Sequence, residues 1–262
     1  MKIIVCMKQV PDTAEVRLDP VTNNLIREGL PSIINPDDKA GLEAALNIRD
    51  MEGGTVTVVS MGPPQADIAL REALAMGADE AVLITDRAFG GADTWATSST
   101  IAAALKKIGY DLIVAGRQAI DGDTAQVGPQ IAEHLGIPQV TYVESVEAVY
   151  EDRIVVRRQF EDRYHIIEVE LPCLITALSE LAVPRYMSVQ GVFDAYKKEV
   201  RRFTLAELEG FVDKDNIGLA GSPTRVKESF TKQPKGAGEK FEGSVDEAVR
   251  LIANKLAEKF II

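Results

Sequence analysis

The chain has 262 residues, with 40 acidic against 29 basic side chains and a formal net charge of −11, so its overall field repels a polyanion and nucleic-acid binding is not expected. With 46% hydrophobic and 26% charged residues it has ordinary globular composition, and a chain this long buries about three quarters of its unfolded surface. Cys6 and Cys173 lie in apolar runs with no CxxC or Cys/His spacing, which excludes the usual metal and disulfide frameworks and fits a reducing cytoplasm; the opening MKIIVCMKQV is too short for a signal h-region or a membrane span.

From residue 2 to about 142, β-branched runs alternate with helical patterns, which predicts an α/β fold with a doubly wound, mostly parallel sheet. Strands are expected over 2–7, 55–61, 80–85, 111–115 and 139–143, and helices over 36–50, 64–76, 93–108 and 124–135. Asn35 can cap the first helix, Pro36 suits its first position, and Asp37 and Asp38 meet the positive end of its dipole. Between 14 and 30, AEVRLDPVTNNLIREG reads as an inserted hairpin. Over 144–176, IVVRRQF and YHIIEVELP alternate around EDR, predicting an antiparallel hairpin at the sheet edge. The pattern weakens beyond Pro184, and about 209–244 reads as an extended C-terminal arm. A last amphipathic helix over 245–259, with Val249, Ile252, Leu256 and Phe260 on one side, needs something to pack on. The division expected is 1–186 as a nucleotide-binding α/β domain and 187–262 as the arm and helix.

No GxGxxG follows the first strand and no GxxxxGK[ST] occurs, so a nucleotide must be held otherwise. The best candidate is the run from Gly116 to Pro129, which joins the strand DLIVA to a helix at the carboxyl edge of the sheet, where open α/β sheets bind ligands. The binding residues expected in it are Ala119, Ile120, Asp121, Gly122, Asp123, Thr124, Ala125, Gln126, Val127, Gly128, Pro129 and Gln130: backbone N–H groups at the helix N-terminus, which Pro129 lacks, could face a pyrophosphate, and Thr124 and Gln126 add side-chain hydrogen bonds. Asp121 and Asp123 would repel phosphate if they faced it, so they are read as helix caps or ribose ligands; the alternative is a polar turn whose acids only cap a helix. Cys6 to Lys8, Asn35 to Asp38, and Met61 with Gly62 should converge on the same edge, although Met61 can equally fill core and Asn35 only cap. A second segment, Phe89, Gly90, Gly91, Ala92, Asp93, Thr94 and on to Thr97, allows close backbone approach and opens a helix; it is a nicotinamide or phosphate contact or simply a loop and N-cap. His134 and His165 have no nucleophile or metal partner by spacing, no catalytic side chain can be argued, and chemistry is left to a cofactor.

At this point GRQAIDGDTAQVGPQIAEHLGIPQVTYV resembles the nucleotide-binding signature of electron transfer flavoprotein beta subunits, with VCMKQVPD, INPDDKAGLEAAL, VVSMGPPQA and LAMGADEAVLITD in the family's order. VRRQFEDRYHIIEVELPCLIT and LAVPRY continue the likeness, apart from Arg163 and His165 where the family usually has small or acidic residues. The resemblance implies an alpha-subunit partner holding another FAD, and AMP or FAD in this chain. DRAFGGADTWATS is similar to the form in electron-bifurcating members, where it lies near NADH and the beta-subunit flavin. It therefore implies hydride transfer from NADH to FAD, one electron going to ferredoxin or flavodoxin and the other, through the alpha-subunit FAD, to a flavin-dependent dehydrogenase, most commonly acting on acyl-CoA. Leu181 matches the family's docking position for that dehydrogenase. The rival readings are a simple electron carrier with AMP, and a nucleotide-sensing module of the stress-protein type, which leaves the arm, SELAVPRY and GGADTWATS unexplained.

Overall fold

The computed structural model describes residues 1–12, 31–227, 236, 238 and 240–262. Contacts divide the chain into a unit spanning Met1–Arg225 and a second spanning Val226–Ile262. The hairpin expected over 14–30 lies outside the described residues.

The first unit is built on a nine-stranded sheet. Its opening strand β1 (Lys2–Cys6) is followed by a short ribbon of β2 (Gln9–Pro11) and β3 (Ser32–Ile34), then α1 (Pro36–Glu52), β4 (Thr55–Met61), α2 (Asp67–Met76) and β5 (Glu80–Ile84). The chain continues through α3 (Thr94–Ile108), β6 (Leu112–Gly116), α4 (Val127–Leu135), β7 (Gln139–Val149), β8 (Arg153–Gln159), β9 (Tyr164–Glu170) and β10 (Cys173–Ala177). It closes with α5 (Val189–Ala195) and β11 (Val200–Phe203), and the sheet order is β11-β5-β4-β1-β6-β10-β7-β8-β9. Pairings from β11 across to β7 are parallel, whereas β7-β8 and β8-β9 are antiparallel. The α/β class, the mostly parallel sheet and the antiparallel edge hairpin match the sequence expectation.

Period-two alternation along β1 explains the double winding. Ile3 and Val5 point into one core with Leu42, Leu46, Leu70 and Leu74 of α1 and α2, while Ile4 and Cys6 point into another with Ile101 and Leu105 of α3 and Ile131 of α4. Each fully buried aliphatic side chain contributes about 1.5–3 kcal/mol, and helices on both faces are what a parallel sheet needs. From β1 the strands run outward through β4 to β5, and the chain then crosses to β6 on the other side of β1. The switch point therefore lies between β1 and β6, and the crevice beyond their carboxyl ends is where open α/β sheets bind ligands.

Two strands of the nine-stranded sheet were not legible as such, and neither was the short β2–β3 ribbon. The segment CLITA of β10 is buried at all five positions and inserts between β6 and β7, so its run has no alternation to separate it from the preceding hairpin. VRRF of β11 is a four-residue edge strand in which Arg201 pairs with Glu80 at 2.7 Å, inside what the sequence marks as the arm. Because β11 joins the main sheet and α5 packs on α2, the contact boundary falls after Arg225 and not at 186. In the second unit, α6 (Val245–Glu258) begins with a capping box in which the Ser244 side chain and Glu247 exchange hydrogen bonds with each other's backbone, and none of its residues is buried. Among the described residues no helix is long and apolar enough to cross a membrane.

Candidate functional site

The crevice between β1 and β6 is assembled by two buried side chains at the start of α1. Asp38 accepts from the Lys8 N–H through Oδ2 at 2.7 Å and from the Gly116 N–H through Oδ1 at 3.0 Å. Asn35 donates from Nδ2 to the Gln118 carbonyl at 2.8 Å and accepts from the Ile120 N–H at 3.0 Å. Asn35 thus does not cap α1 with its side chain, as its position suggests; it holds the loop after β6. Gly116 is required where it stands, since a Cβ there would lie 2.1 Å from Asp38 Oδ1. Burial pushes the Asp38 carboxyl up to about 7 despite hydrogen bonds from Lys8, Asn35 and Gly116 that favour its charged form. The same burial, followed by the charge of Asp38, pushes the Cys6 thiol up to about 12, so Cys6 is a core thiol behind the crevice.

The loop from Arg117 to Gln126 engages both of its acids in contacts of their own. Asp121 Oδ1 meets Lys8 Nζ at 2.6 Å with the Asp121 side chain only 11% exposed, although the residue as a whole counts as exposed because its backbone faces solvent. Asp123 accepts from Gln118 Nε2 at 2.7 Å. Both carboxylates, which would repel a phosphate, therefore have partners of their own, Lys8 and Gln118. Asp123 and Ala125 adopt left-handed φ values of 54° and 52°, which ends the helix expected from 124 and starts α4 only at Val127. Such conformations gather successive N–H groups into an anion-binding concavity, and the first N–H groups of α4 have no acceptor within the helix. Gln126 at the N-cap makes no side-chain cap; its amide oxygen accepts the Thr94 hydroxyl at 2.9 Å instead. An uncapped helix start at a switch point is suited to a nucleotide phosphate, and Ile120, 51% exposed, adds an apolar contact beside it.

Glycines in this run have different roles. A Cβ on Gly122 meets nothing within 4 Å, whereas one on Gly128 would lie 2.8 Å from Thr176 Cγ2, so Gly128 serves the approach of α4 to the sheet. Pro129 and Gln130 continue α4, and Gln130 Oε1 accepts the Ser98 hydroxyl at 3.3 Å. Thr124 and Ala119 remain on the loop's surface side, and Ala119 accepts from the Gly122 and Asp123 N–H groups. Met61 packs partly against the core, and Gly62 donates its N–H to Ile84, which leaves both on the rim after β4.

The second segment meets the first through α3. Asp93 caps α3 by accepting from the Ala96 N–H at 3.0 Å, and its other oxygen accepts from the Thr224 N–H and hydroxyl at 2.9 and 2.7 Å. Burial would raise the Asp93 carboxyl, but these bonds outweigh it and hold it below the usual carboxylate range. Phe89 is buried in the core, so its ring is not a ligand contact; Gly90 and Gly91 are exposed, Gly91 at φ 71°, and Ala92, Thr94 and Thr97 are half-buried beside them. Trp95 and His134 stack edge to face at 4.6 Å, and His134 Nε2 lies 3.2 Å from the Ser98 hydroxyl, so the histidine belongs to the α3–α4 seam. Burial, then the charge of Lys106, holds this imidazole below its ordinary pKa.

Leu181 is half-buried against the core, not freely exposed. In the same segment Val183 and Tyr186 are 91% and 99% exposed, and Arg185 is clamped on α1 by Glu43, Asn47 and Asp50 at 3.0 Å each. Sequence reading did not single out Arg185, Ser222 or Thr224, because their partners lie far away in the chain. Among the described residues no group of acidic, histidine and cysteine side chains could hold a metal. A hollow of about 480 Å³ between Met1, Asp111, Tyr150 and Leu171 sits at the amino ends of the strands, away from these loops.

The family model described as Electron transfer flavoprotein domain matches residues 22–208. The electron transfer flavoprotein subunit beta of Clostridium acetobutylicum is 63% identical over 262 residues, covering 100% of both chains. The caffeyl-CoA reductase-Etf complex subunit CarD of Acetobacterium woodii is 55% identical over 265 residues, and the acryloyl-CoA reductase electron transfer subunit gamma of Anaerotignum propionicum 49% over 269, each again covering 100% of both chains.

Proposed function

Because the chain belongs to the electron transfer flavoprotein family, we propose that it is the beta subunit of a bifurcating complex and holds FAD in the crevice between β1 and β6. The observation that carries this reading is the uncapped start of α4 beneath the left-handed turns at Asp123 and Ala125, linked through Thr94 to the GGADTWATS segment. Backbone N–H groups from Thr124 to Gly128 bind the pyrophosphate, while Lys8 and Gln118 keep the Asp121 and Asp123 carboxylates away from it. Asn35 and Asp38 fix the height of the loop above the sheet. The Gly90–Gly91 backbone gives the nicotinamide of NADH room to approach. FAD held there would supply the redox chemistry, hydride acceptance from NADH and one-electron transfer to ferredoxin or flavodoxin and, through the alpha-subunit FAD, to a dehydrogenase. Two relatives named for acyl-CoA reductases support an acyl-CoA enzyme as that last partner.

Residues 187–262 are assigned to the alpha-subunit contact, chiefly through the exposed apolar side of α6, and the segment around Leu181 to the dehydrogenase. The subunit works in the cytoplasm, where the buried thiols of Cys6 and Cys173 stay reduced. The alternative is a simple carrier with AMP in the same loop. Extracting the ligands of the purified heterodimer decides between them: two FAD per heterodimer are expected, whereas one FAD with one AMP would establish the carrier.

A further inference from the structure

We propose that residues 216–224 form a strap that positions the GGADTWATS loop for the nicotinamide donor, so that Asp93, Ser222 and Thr224 are positioning residues of that site; this rests on the functional reading above. The strap and loop are separated by more than a hundred residues in sequence yet are joined along their length. Asn216 Oδ1 accepts from the Trp95 indole N–H at 3.2 Å, and Leu219 donates its N–H to the Gly90 carbonyl at 3.0 Å. Ser222 is 8% exposed and acts as a relay, its Oγ accepting from the Asp93 N–H at 2.8 Å and donating to the Gly218 carbonyl at 2.7 Å. Thr224 closes the strap with its two donations to Asp93 Oδ2.

Shape agrees with these bonds. A Cβ on Gly218, at φ 58°, would lie 2.1 Å from the Ala88 carbonyl oxygen, and one on Gly91 would lie 3.2 Å from Leu219 Cβ. Ile217 shares the core with Phe89 beneath the loop. Asp93 has one oxygen on Ala96 and the other on Thr224, which leaves its carboxylate little capacity for a ligand and makes it the joint between strap and helix. The strap thus packs directly on the Gly90–Gly91 backbone through Leu219, while both glycines keep an exposed side. Reactive geometry tolerates errors of about 0.5 Å, so a loop that must hold a transferring donor gains from such a tie.

The test compares the assembled flavoprotein with a Ser222→Ala, Thr224→Val variant and with Thr224→Ser, which keeps the hydroxyl. Amide exchange over 88–97 is read by mass spectrometry without NADH, and flavin reduction is read as a function of NADH concentration. The double variant should exchange about tenfold faster in that segment and show a KM for NADH raised about tenfold, with kcat within about twofold and flavin content unchanged, while Thr224→Ser behaves as the parent. Unchanged exchange would overturn the strap itself. Faster exchange with an unchanged KM would overturn its role in donor positioning. A parent protein that NADH does not reduce would overturn the functional reading and the positioning role together, and the exchange result would still decide whether the strap holds the loop.

Discussion

The Thr94 hydroxyl donates to the Gln126 amide oxygen across 2.9 Å and, with the longer bond from Ser98 to Gln130, joins the two segments to which the sequence attaches nucleotide chemistry. Gln126 stands where a capping residue would satisfy the start of α4, so by engaging Thr94 it leaves those N–H groups free for a phosphate. A neutral, partly exposed bond contributes about 1 kcal/mol, so Thr94→Val should weaken flavin retention by about fivefold without changing the fold. Calorimetric titration of Thr94→Val, Gln126→Ala and the pair should give a coupling of similar size. Strictly additive effects would mean that the two loops act independently.

Gly122 and Gly128 lie in the same loop signature but should respond oppositely to an added side chain. Valine at 128 must displace Thr176 on β10, and overpacking of this kind costs about 1–3 kcal/mol, so thermal unfolding of Gly128→Val should shift down even without nucleotide. Gly122→Ala meets nothing within 4 Å and should leave the midpoint unchanged. A Gly128→Val protein of parental stability that merely loses flavin would return this glycine to the binding loop.

These pairings also show what could be read in the sequence. The alternation of short β-branched runs with Leu42, Ala45 and Leu46, or with Ile101 and Leu105, displays the doubly wound sheet directly, because each element carries its own period. The strand CLITA has no period of its own, being buried on both faces, and VRRF is too short to show one. At the site, the loop after β6 was legible from its glycines and its place after a strand. That Asn35 holds this loop, that Phe89 is core, and that Asp93 answers to Thr224 depend on contacts between distant parts of the chain, for which spacing carries no signal.

Asp38 gives a pH dependence whose sign follows from its burial. Its folded value of about 7 lies above its ordinary 3.8, so between these values the folded chain holds a proton that the unfolded chain releases. The contribution of Asp38 is therefore fully present below the ordinary value and is lost as pH rises through about 7. A carboxamide at this position cannot titrate, and Asp38→Asn should become more stable relative to the parent as pH increases across that window. Urea unfolding of both proteins at several pH values checks this; a difference that is flat with pH would mean that Asp38 is charged throughout.

The last prediction separates the two protein partners. Leu181 is half-buried against the core, so Leu181→Ala should lower stability modestly as well as slow electron delivery to the dehydrogenase, while NADH oxidation and heterodimer formation persist. The terminal helix differs, because its capping box starts it locally while Val249 and Ile252 are each 59% exposed on its apolar side. A helix of 14 residues is marginal in water unless that side is covered, which is why the alpha subunit is assigned to it. Val249→Asp with Ile252→Asp should therefore weaken the heterodimer on a sizing column without altering unfolding of the Met1–Arg225 unit. If the paired aspartates leave the complex intact, or if Leu181→Ala releases the alpha subunit, the two surfaces have been assigned to the wrong partners.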